Sequence, residues 1–285
     1  MIEIVKVENK DQEREFVMFP FSLYKGCDYW VPPIISEELE SMDKEKNPVF
    51  ENAEAEFYIA KKDGVTVGRI AAMVNWVEIE EQKKNKLRFG WYDTIDDLEV
   101  SKKLLESVIE FGKKRKLEFV DGPVGFSNMD KAGLLIEGYE ELNTMITWYH
   151  YPYQKEHLKK LGFSKLAEWV EYKIKIFSAE DAPEKVKKFS KIIQQRYELK
   201  VLNFKSRKEI IPYVDKMFEL LNVTYSNLQT YVTIKQYQID FYKEKFIKYI
   251  HPDFIKCCLD KDDNLIAFLI TMPSFSRALK KINGK

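Results

Sequence analysis

The stretch EFYIAKKDGVTVGRIAA, residues 56–72, decides the fold of this sequence. Apolar runs at 55–60 and 65–74 flank the pair Asp63-Gly64. An Asp-Gly pair between two apolar runs is the strongest short-range signal for a β-hairpin, because both residues accept a left-handed backbone. The stretch therefore predicts two antiparallel strands joined by a tight turn.

Outside the hairpin, strand-length and helix-length patterns alternate along the first 180 residues. The predicted strands are 2–7, 87–93, 119–121 and 169–176, and the predicted helices are 11–24, 96–116 and 153–161. Residues 125–141 form a long glycine-containing loop. This alternation predicts an α/β fold.

A chain of 285 residues is long enough for two domains, and the small, acidic, proline-containing stretch 179–184 is the predicted boundary. Beyond it, a second unit begins with its own helices and strands. Its predicted helices are 187–196, 207–222 and 233–249, and its predicted strands are 200–204, 254–259 and 265–272. The last strand has no predicted neighbour on its outer side, and such an unpaired edge favours self-association through 265–272.

Composition places the chain among globular proteins and argues against several function classes. Lys+Arg and Asp+Glu balance at 46 each, with pI ≈ 6.9, so there is no electrostatic footprint for nucleic acid or an anionic membrane. No apolar stretch approaches the ~20 residues that cross a bilayer. The three cysteines give no disulfide framework, and the three histidines lack metal-binding spacing. We therefore predict a cytoplasmic protein with no nucleic-acid, membrane or metal partner.

Several short motifs carry a resemblance to a known superfamily. They are the hairpin at 56–72, YWVPP at 29–33, RFGWYD at 88–93, DGPVGF at 121–126, HLKKLGF at 157–163 and WVEYK at 169–173. On these motifs the chain resembles the acyl-CoA N-acyltransferase (GNAT) superfamily, and within it an uncharacterised family of long bacterial tandem GNAT-like proteins.

The resemblance implies a mixed-sheet GNAT-like fold, with one full unit at 1–180 and an incomplete second unit at 181–285. It also implies transfer of an acyl group from acetyl-CoA or another acyl-CoA to a small-molecule amine. In the family, we expect the cofactor-binding part to follow the second hairpin, beyond the end of this sequence.

One departure from the superfamily pattern lies at the start of the 96–116 helix. The superfamily's pyrophosphate turn, Gln/Arg-x-x-Gly-x-Gly/Ala, falls on a segment that holds Asp96, Asp97 and Glu99 and has no glycine. Glycine amides and positive potential hold a diphosphate, whereas carboxylates repel it and cap an empty helix end. We therefore predict a plain capped helix there.

A second departure is Leu158, which stands where many superfamily members have a proton-donating tyrosine. Tyr151 and Tyr153 are the nearest candidates to replace it. We expect this chain alone to bind acyl-CoA weakly and to have little activity, and we assign no cofactor-binding residue. The alternative function is a non-catalytic ligand-binding or interaction module on a degenerate GNAT fold.

The loop after the 119–121 strand is the most ligand-like segment of the sequence. Within it, Asp130 and Glu137 are candidate catalytic bases or amine-binding groups, and Tyr151 is a third candidate catalytic residue. Trp91 and Tyr149 are the predicted walls of a substrate cleft. The alternative interpretation is that the carboxylates are surface charges on a structural loop and the aromatic residues belong to the core.

Overall fold

The computed structural model describes residues 1–175, 178–228, 230–246 and 250–285. The chain divides into two compact units, one of residues 1–168 with 274–285 and the other of residues 169–273. This division differs from the predicted one at 180 and 181. The second unit begins earlier, and the last twelve or so residues, Ser274–Lys285, belong to the first unit.

A five-stranded mixed sheet forms the centre of the first unit. Its strands lie in the order β1 (Ile2–Lys6), β2 (Ala53–Lys62), β3 (Val65–Asn75), β4 (Lys86–Thr94) and β5 (Phe119–Asp121). Neighbouring strands are antiparallel except β4 and β5, which run parallel. The β2–β3 turn uses Asp63 at φ 53° and Gly64 at φ 80°, the two left-handed residues of a type I′ hairpin. The predicted hairpin and mixed sheet are confirmed.

Helices pack against both faces of this sheet. They are α1 (Lys10–Leu23), α2 (Ile35–Met42), α3 (Trp76–Glu80), α4 (Leu98–Lys114) and α5 (Pro152–Lys160). Alternate residues of β3 serve the two faces, because side chains in a strand point to opposite sides. Ile70 joins the apolar cluster of Leu104 from α4, whereas Met73 joins the cluster of Phe16 from α1. The order of elements is the one that the GNAT resemblance implies, and the predicted fold class is confirmed.

A β-bulge interrupts β4. The pairing of β3 with β4 shifts there, so that Trp91 and Tyr92 together face the single residue Ile70. Trp91 has φ 48°, a left-handed conformation that is rare for a bulky side chain. As a result, Tyr92 joins the cluster on the α4 side of the sheet, whereas Trp91 joins the cluster on the α1 side.

The long loop between β5 and α5 is anchored by buried ion pairs. Arg88 of β4 binds both carboxylate oxygens of Glu78 at 2.7 Å and donates from Nη1 to the backbone oxygen of Gly125 at 3.1 Å. Lys86 binds Asp121 at 2.7 Å. Burial favours protonation of Glu78, but the hydrogen bonds and charge of Arg88 outweigh it and lower the pKa of this carboxyl. The predicted loop at 125–141 contains no helix and is confirmed.

The predicted strand at 169–176 is wrong for the residues that the structure describes. Residues 169–175 have no regular secondary structure, and Ile176 lies outside the described residues. Trp169, Val170 and Tyr172 are 54%, 62% and 80% exposed. The alternating apolar pattern suits a strand, but a strand also needs a neighbour for its backbone hydrogen bonds, and none of the described strands pairs with this segment.

The second unit repeats the beginning of the first. After α6 (Glu184–Arg196) it contains β6 (Lys200–Asn203), α7 (Arg207–Tyr225), α8 (Gln236–Phe246), β7 (Ile255–Leu259) and β8 (Leu265–Ile270). The three strands form an antiparallel sheet in the order β6-β7-β8. A strand, two helices and a hairpin also open the first unit, so the predicted repeat of these opening elements is confirmed. The end of the predicted 233–249 helix, with Tyr249, lies outside the described residues.

The last helix, α9 (Ser276–Ile282), belongs to the first unit. Ser276 Oγ donates to the backbone oxygen of Asn143 at 2.9 Å, and the Ile35 amide donates to the oxygen of Gly284 at 3.1 Å. Gly284 has φ +84°, and a Cβ there would meet the ring of Phe21 at 2.7 Å, so glycine is required. None of the helices in the described ranges is long and apolar enough to cross a membrane.

Candidate functional site

A small polar cavity lies on the α1 side of the β4 bulge, and we call it the bulge cavity. The space open to the centre of a water molecule is ≈ 20 Å³, enough for about one water. Its lining comes from α1, the segment between α1 and α2, α2, β3, β4 and the long loop. The lining residues are Pro20, Tyr24, Trp30, Val31, Pro33, Glu38, Arg69, Asp93, Lys131, Asn143, Thr147, Trp148 and Tyr149. Two carboxylates, two cations and four aromatic rings therefore meet in one place.

Asp93 is held by a buried hydrogen-bonding triad. The Tyr24 hydroxyl donates to Asp93 Oδ1 at 2.6 Å, and Arg69 Nε donates to Asp93 Oδ2 at 2.8 Å. Arg69 also donates from Nη1 to the backbone oxygen of Phe16 at 3.1 Å. Burial, reinforced by the Asp93 charge, raises the pKa of Tyr24, so that this phenol stays a hydrogen-bond donor at neutral pH.

Glu38 is the second carboxylate of the cavity and is bound differently. Trp91 Nε1 donates to Glu38 Oε2 at 2.7 Å. Lys131 Nζ lies 3.9 Å from Glu38 Oε1, which is within ion-pair range but too far for a hydrogen bond. The side chain of Glu38 is 14% exposed. Glu38 is thus fixed at one oxygen and free of a close hydrogen-bonding partner among the described residues at the other.

His150 is a buried residue near the cavity, with its ring centroid 6.4 Å from that of the lining residue Trp148. Its ring is buried, and Nδ1 accepts a hydrogen bond from the Leu135 amide at 3.2 Å. Burial lowers the pKa of His150 to about 4, against a partly opposing effect of the Asp93 charge. The imidazole is therefore neutral at pH 7 and acts as a structural hydrogen-bonding group of the loop.

The two aromatic residues predicted as cleft walls lie at this site. Tyr149 lines the cavity, and its hydroxyl donates to the backbone oxygen of Tyr139 at 3.1 Å. Trp91 packs beneath the cavity, with its ring centroid 5.9 Å from that of Trp148, and reaches the site through Glu38.

The three predicted catalytic residues do not line the cavity. Asp130 is exposed as a residue, but its carboxyl is held within the loop: Oδ2 accepts hydrogen bonds from the Ser127 amide at 2.9 Å and the Ser127 hydroxyl at 3.3 Å, and burial raises the pKa of this carboxyl. Glu137 is exposed and has no polar partner among the described contacts. Tyr151 begins α5 and packs its ring 5.1 Å from that of Tyr24. Their catalytic roles stay predictions.

The sequence interpretation did not single out Tyr24, Glu38 and Arg69. Arg69 carried a signal, because a charged residue stands within the apolar run of β3 and must find a buried partner. Tyr24 and Glu38 carried none, since Tyr24 follows a helix that contains other aromatic residues and Glu38 lies in a helix that contains two other glutamates.

The start of α4 is occupied by the protein's own groups. Asp97 Oδ1 accepts a hydrogen bond from the Glu99 amide at 3.0 Å, and the Lys62 ammonium at 3.0 Å from Oδ2 lowers the pKa of Asp97. His157 bridges Asp96 Oδ1 at 3.2 Å and Ser101 Oγ at 2.9 Å. These residues do not fit a diphosphate, because carboxylates surround the amides that would bind it.

Leu158 is buried in the apolar cluster shared with α4. It therefore contributes packing and no proton. Tyr153, one turn earlier in α5, donates from its hydroxyl to the backbone oxygen of Thr94 at 2.6 Å. The Tyr153 hydroxyl therefore links α5 to the end of β4.

Comparison with known proteins finds two curated relatives at low sequence identity. No family model matches it. It is 26% identical over 280 residues to Protein YghO of Escherichia coli strain K12, covering 97% of this chain and 69% of that protein. It is 22% identical over 174 residues to the bacterial ceramide synthase of Caulobacter vibrioides, covering 60% of this chain and 45% of that protein.

Among solved structures, the chain is similar to a tandem GNAT protein from the clavulanic acid biosynthesis pathway. That match covers 96% of this chain and 76% of the other, with 10% identity and a TM-score of 0.45. The GNAT-like fold of this chain rests on its own strand order and helix placement, described above.

Proposed function

We propose that the chain is part of an N-acyltransferase of the GNAT type, and that its first unit binds the acceptor amine in the bulge cavity. The observation that carries the proposal is the convergence of Glu38 and Asp93 with aromatic rings at a β-bulge of the GNAT-like sheet. Carboxylates attract an ammonium group through charge, and aromatic faces attract it through their quadrupole. A carboxylate beside the amine also suits proton removal before acyl transfer.

In this proposal, the acyl donor does not bind at the start of α4. Asp96, Asp97 and Glu99 disfavour a diphosphate there, and Leu158 supplies no proton. We therefore expect weak binding of acetyl-CoA and little activity from these 285 residues alone. The chain spans 69% and 45% of the lengths of the two curated relatives. The full acyl-transfer activity is therefore proposed for a protein of that greater length.

The name of one relative supports an amino alcohol as the class of acceptor. That relative is named a bacterial ceramide synthase, and a ceramide is the amide of a long-chain amino alcohol. A cavity with room for about one water would take only the amine end of such a molecule.

A non-catalytic ligand-binding module is the second candidate function. The capped start of α4 favours it, because the same residues that stabilise the empty helix end oppose the acyl donor. This candidate keeps the amine site and abandons acyl transfer.

Calorimetry and thermal-shift measurements test the proposal. We expect primary amines and amino alcohols to raise the melting temperature, whereas the corresponding alcohols without nitrogen leave it unchanged. Acetyl-CoA should give at most the small heat of a weak binding reaction with this chain. Stabilisation by none of the amines would refute the amine site, and tight binding of acetyl-CoA would refute the assignment of α4.

A further inference from the structure

We propose that Glu38 is the carboxylate that contacts the amine in the bulge cavity, and that Trp91 is a positioning residue that holds Glu38 in place. This inference rests on the proposed function and narrows its ligand to a primary ammonium head group. It is carried by the different bonding of the two carboxylates in one cavity.

Asp93 has little capacity left for a ligand. Its two oxygens are bound by the Tyr24 hydroxyl at 2.6 Å and by Arg69 Nε at 2.8 Å. The guanidinium also neutralises the carboxylate, since both side chains are less than a tenth exposed and form a close ion pair. Asp93 therefore shapes the cavity and contributes little net attraction for a second cation.

Glu38 has the capacity that Asp93 lacks. Its Oε2 accepts the indole hydrogen of Trp91 at 2.7 Å, and its Oε1 has no hydrogen bond among the contacts that the structure describes. An ionised carboxylate offers about four lone-pair sites, so several remain for an ammonium group. The side chain lines the cavity and is 14% exposed, which places this free oxygen where a small ligand can reach it.

Trp91 is suited to hold Glu38 because it has little freedom to move. The residue is 6% exposed and packs edge-on against Phe57, Phe126 and Trp148 at centroid distances of about 6 Å. Its indole nitrogen has a single hydrogen to donate, so it binds Glu38 Oε2 and leaves Oε1 without a bond to the indole. Its φ of 48° at the bulge is an unfavourable conformation that the surrounding packing imposes.

Lys131 is the competitor for Glu38. Its ammonium lies 3.9 Å from Glu38 Oε1 and also lines the cavity. A ligand ammonium must share the carboxylate with it or displace it. Removal of the lysine charge by Lys131→Met should therefore strengthen ammonium binding, whereas a merely structural Glu38 predicts no such gain.

The experiment uses methylammonium as the probe and the indole N–H signals of the five tryptophans as the readout. Trp91→Phe identifies the Trp91 signal in the NMR spectrum of the full chain. With the wild type, we expect saturable shifts of the Trp91 and Trp148 signals, and no shift with methanol. Glu38→Gln should weaken methylammonium binding at least tenfold, Trp91→Phe about threefold, and Lys131→Met should strengthen it.

The matched control is Glu37→Gln, which removes the same charge from the neighbouring, exposed position of α2 and should leave binding unchanged. Dispersed spectra and a cooperative thermal unfolding transition establish that each variant is folded. If the wild type binds methylammonium and Glu38→Gln binds it equally well, the inference is overturned while the amine site stands. If the wild type shows no saturable shift, the proposed function and the inference fall together.

Discussion

The first three strands of each unit have the same order and are antiparallel in both units, but the third strand is buried in the first unit and exposed in the second. In the first unit, Ile70 to Val74 of β3 are fully buried, because β4 pairs with the strand and α1 and α4 cover its faces. In the second unit, Ile266, Leu269 and Ile270 of β8 are 43%, 58% and 43% exposed, and β8 has one neighbour among the described strands. The candidate site lies in the first unit, where a fourth strand with a bulge pairs with the three-stranded meander.

The difference also appears in the charges. The first unit buries Lys86, Arg88, Glu78 and Asp121 as pairs, whereas Lys200 and Asp263 of the second unit form a pair that is 54% and 68% exposed. A buried pair must be complete, because an unpartnered charge in the interior is unfavourable, while water screens an exposed pair. The buried pairs fix the loop that walls the cavity.

The largest effect should come from breaking the buried pair. Arg88→Met leaves Glu78 without its bidentate partner and releases Gly125, and we expect a loss of about 3–5 kcal/mol in the free energy of unfolding. Urea unfolding followed by circular dichroism measures it. Lys200→Met in the second unit is the matched control and should leave the midpoint unchanged. The double variant Arg88→Met, Glu78→Met should recover part of the loss, because it leaves no unpartnered carboxylate. Equal losses in Arg88→Met and in Lys200→Met would contradict this account.

The next effect concerns the pH dependence of stability and the buried residue His150 near the cavity. Burial lowers the pKa of His150 from 6.5 to about 4, so between these values the unfolded chain binds a proton that the native state refuses. Stability contributed by the neutral ring is therefore present above pH 6.5 and lost as the pH falls towards 4, by about 3 kcal/mol in total. In unfolding measured from pH 7 to pH 4, the stability gap between the wild type and His150→Gln should shrink. Parallel profiles would contradict the assignment of a neutral, buried imidazole.

A smaller effect should distinguish the helix starts of the two units. Asp97 caps α4 through its side chain, whereas Ser206 precedes α7 and makes no side-chain cap. Asp97→Ala should therefore lower the free energy of unfolding by about 1 kcal/mol, and Ser206→Ala by much less. Asp97→Asn keeps the acceptor oxygen and should stay close to the wild type in thermal unfolding. Equal effects at the two positions would count against the capped helix end.

The smallest effect should be association through the open edge of β8. Unpaired backbone groups and exposed apolar side chains on an edge strand favour pairing with another copy, and a lysine on such an edge opposes it. Light scattering across a range of concentrations should show self-association that Leu269→Lys reduces. The same substitution at Val65, a 66% exposed residue at the start of β3, is the control and should change nothing. A wild-type chain that stays monomeric throughout would contradict the prediction of association through 265–272.

The candidate site shows where inference from the sequence stops. Trp91 and Tyr149 were predicted as cleft walls because aromatic residues at a strand end and in an aromatic cluster often line a cleft, and of the two Tyr149 lines the bulge cavity. Asp130 and Glu137 were chosen because they are the carboxylates of the segment 122–137, yet neither lines the cavity. Glu38, Arg69 and Asp93 come from three elements that are far apart in sequence, so their meeting could not be inferred from local patterns.

The sequence by itself determined the hairpin, the helix periodicity of α4, the repeat of the opening elements and the acidic start of α4. These features depend on residues within one or two turns or strands of each other, where backbone preference and apolar spacing decide the outcome. Only the tertiary structure decided the bulge cavity, the return of α9 to the first unit and the failure of 169–175 to form a strand. Those outcomes depend on which groups, distant in sequence, form hydrogen bonds and ion pairs with each other. Local sequence patterns do not specify these partners.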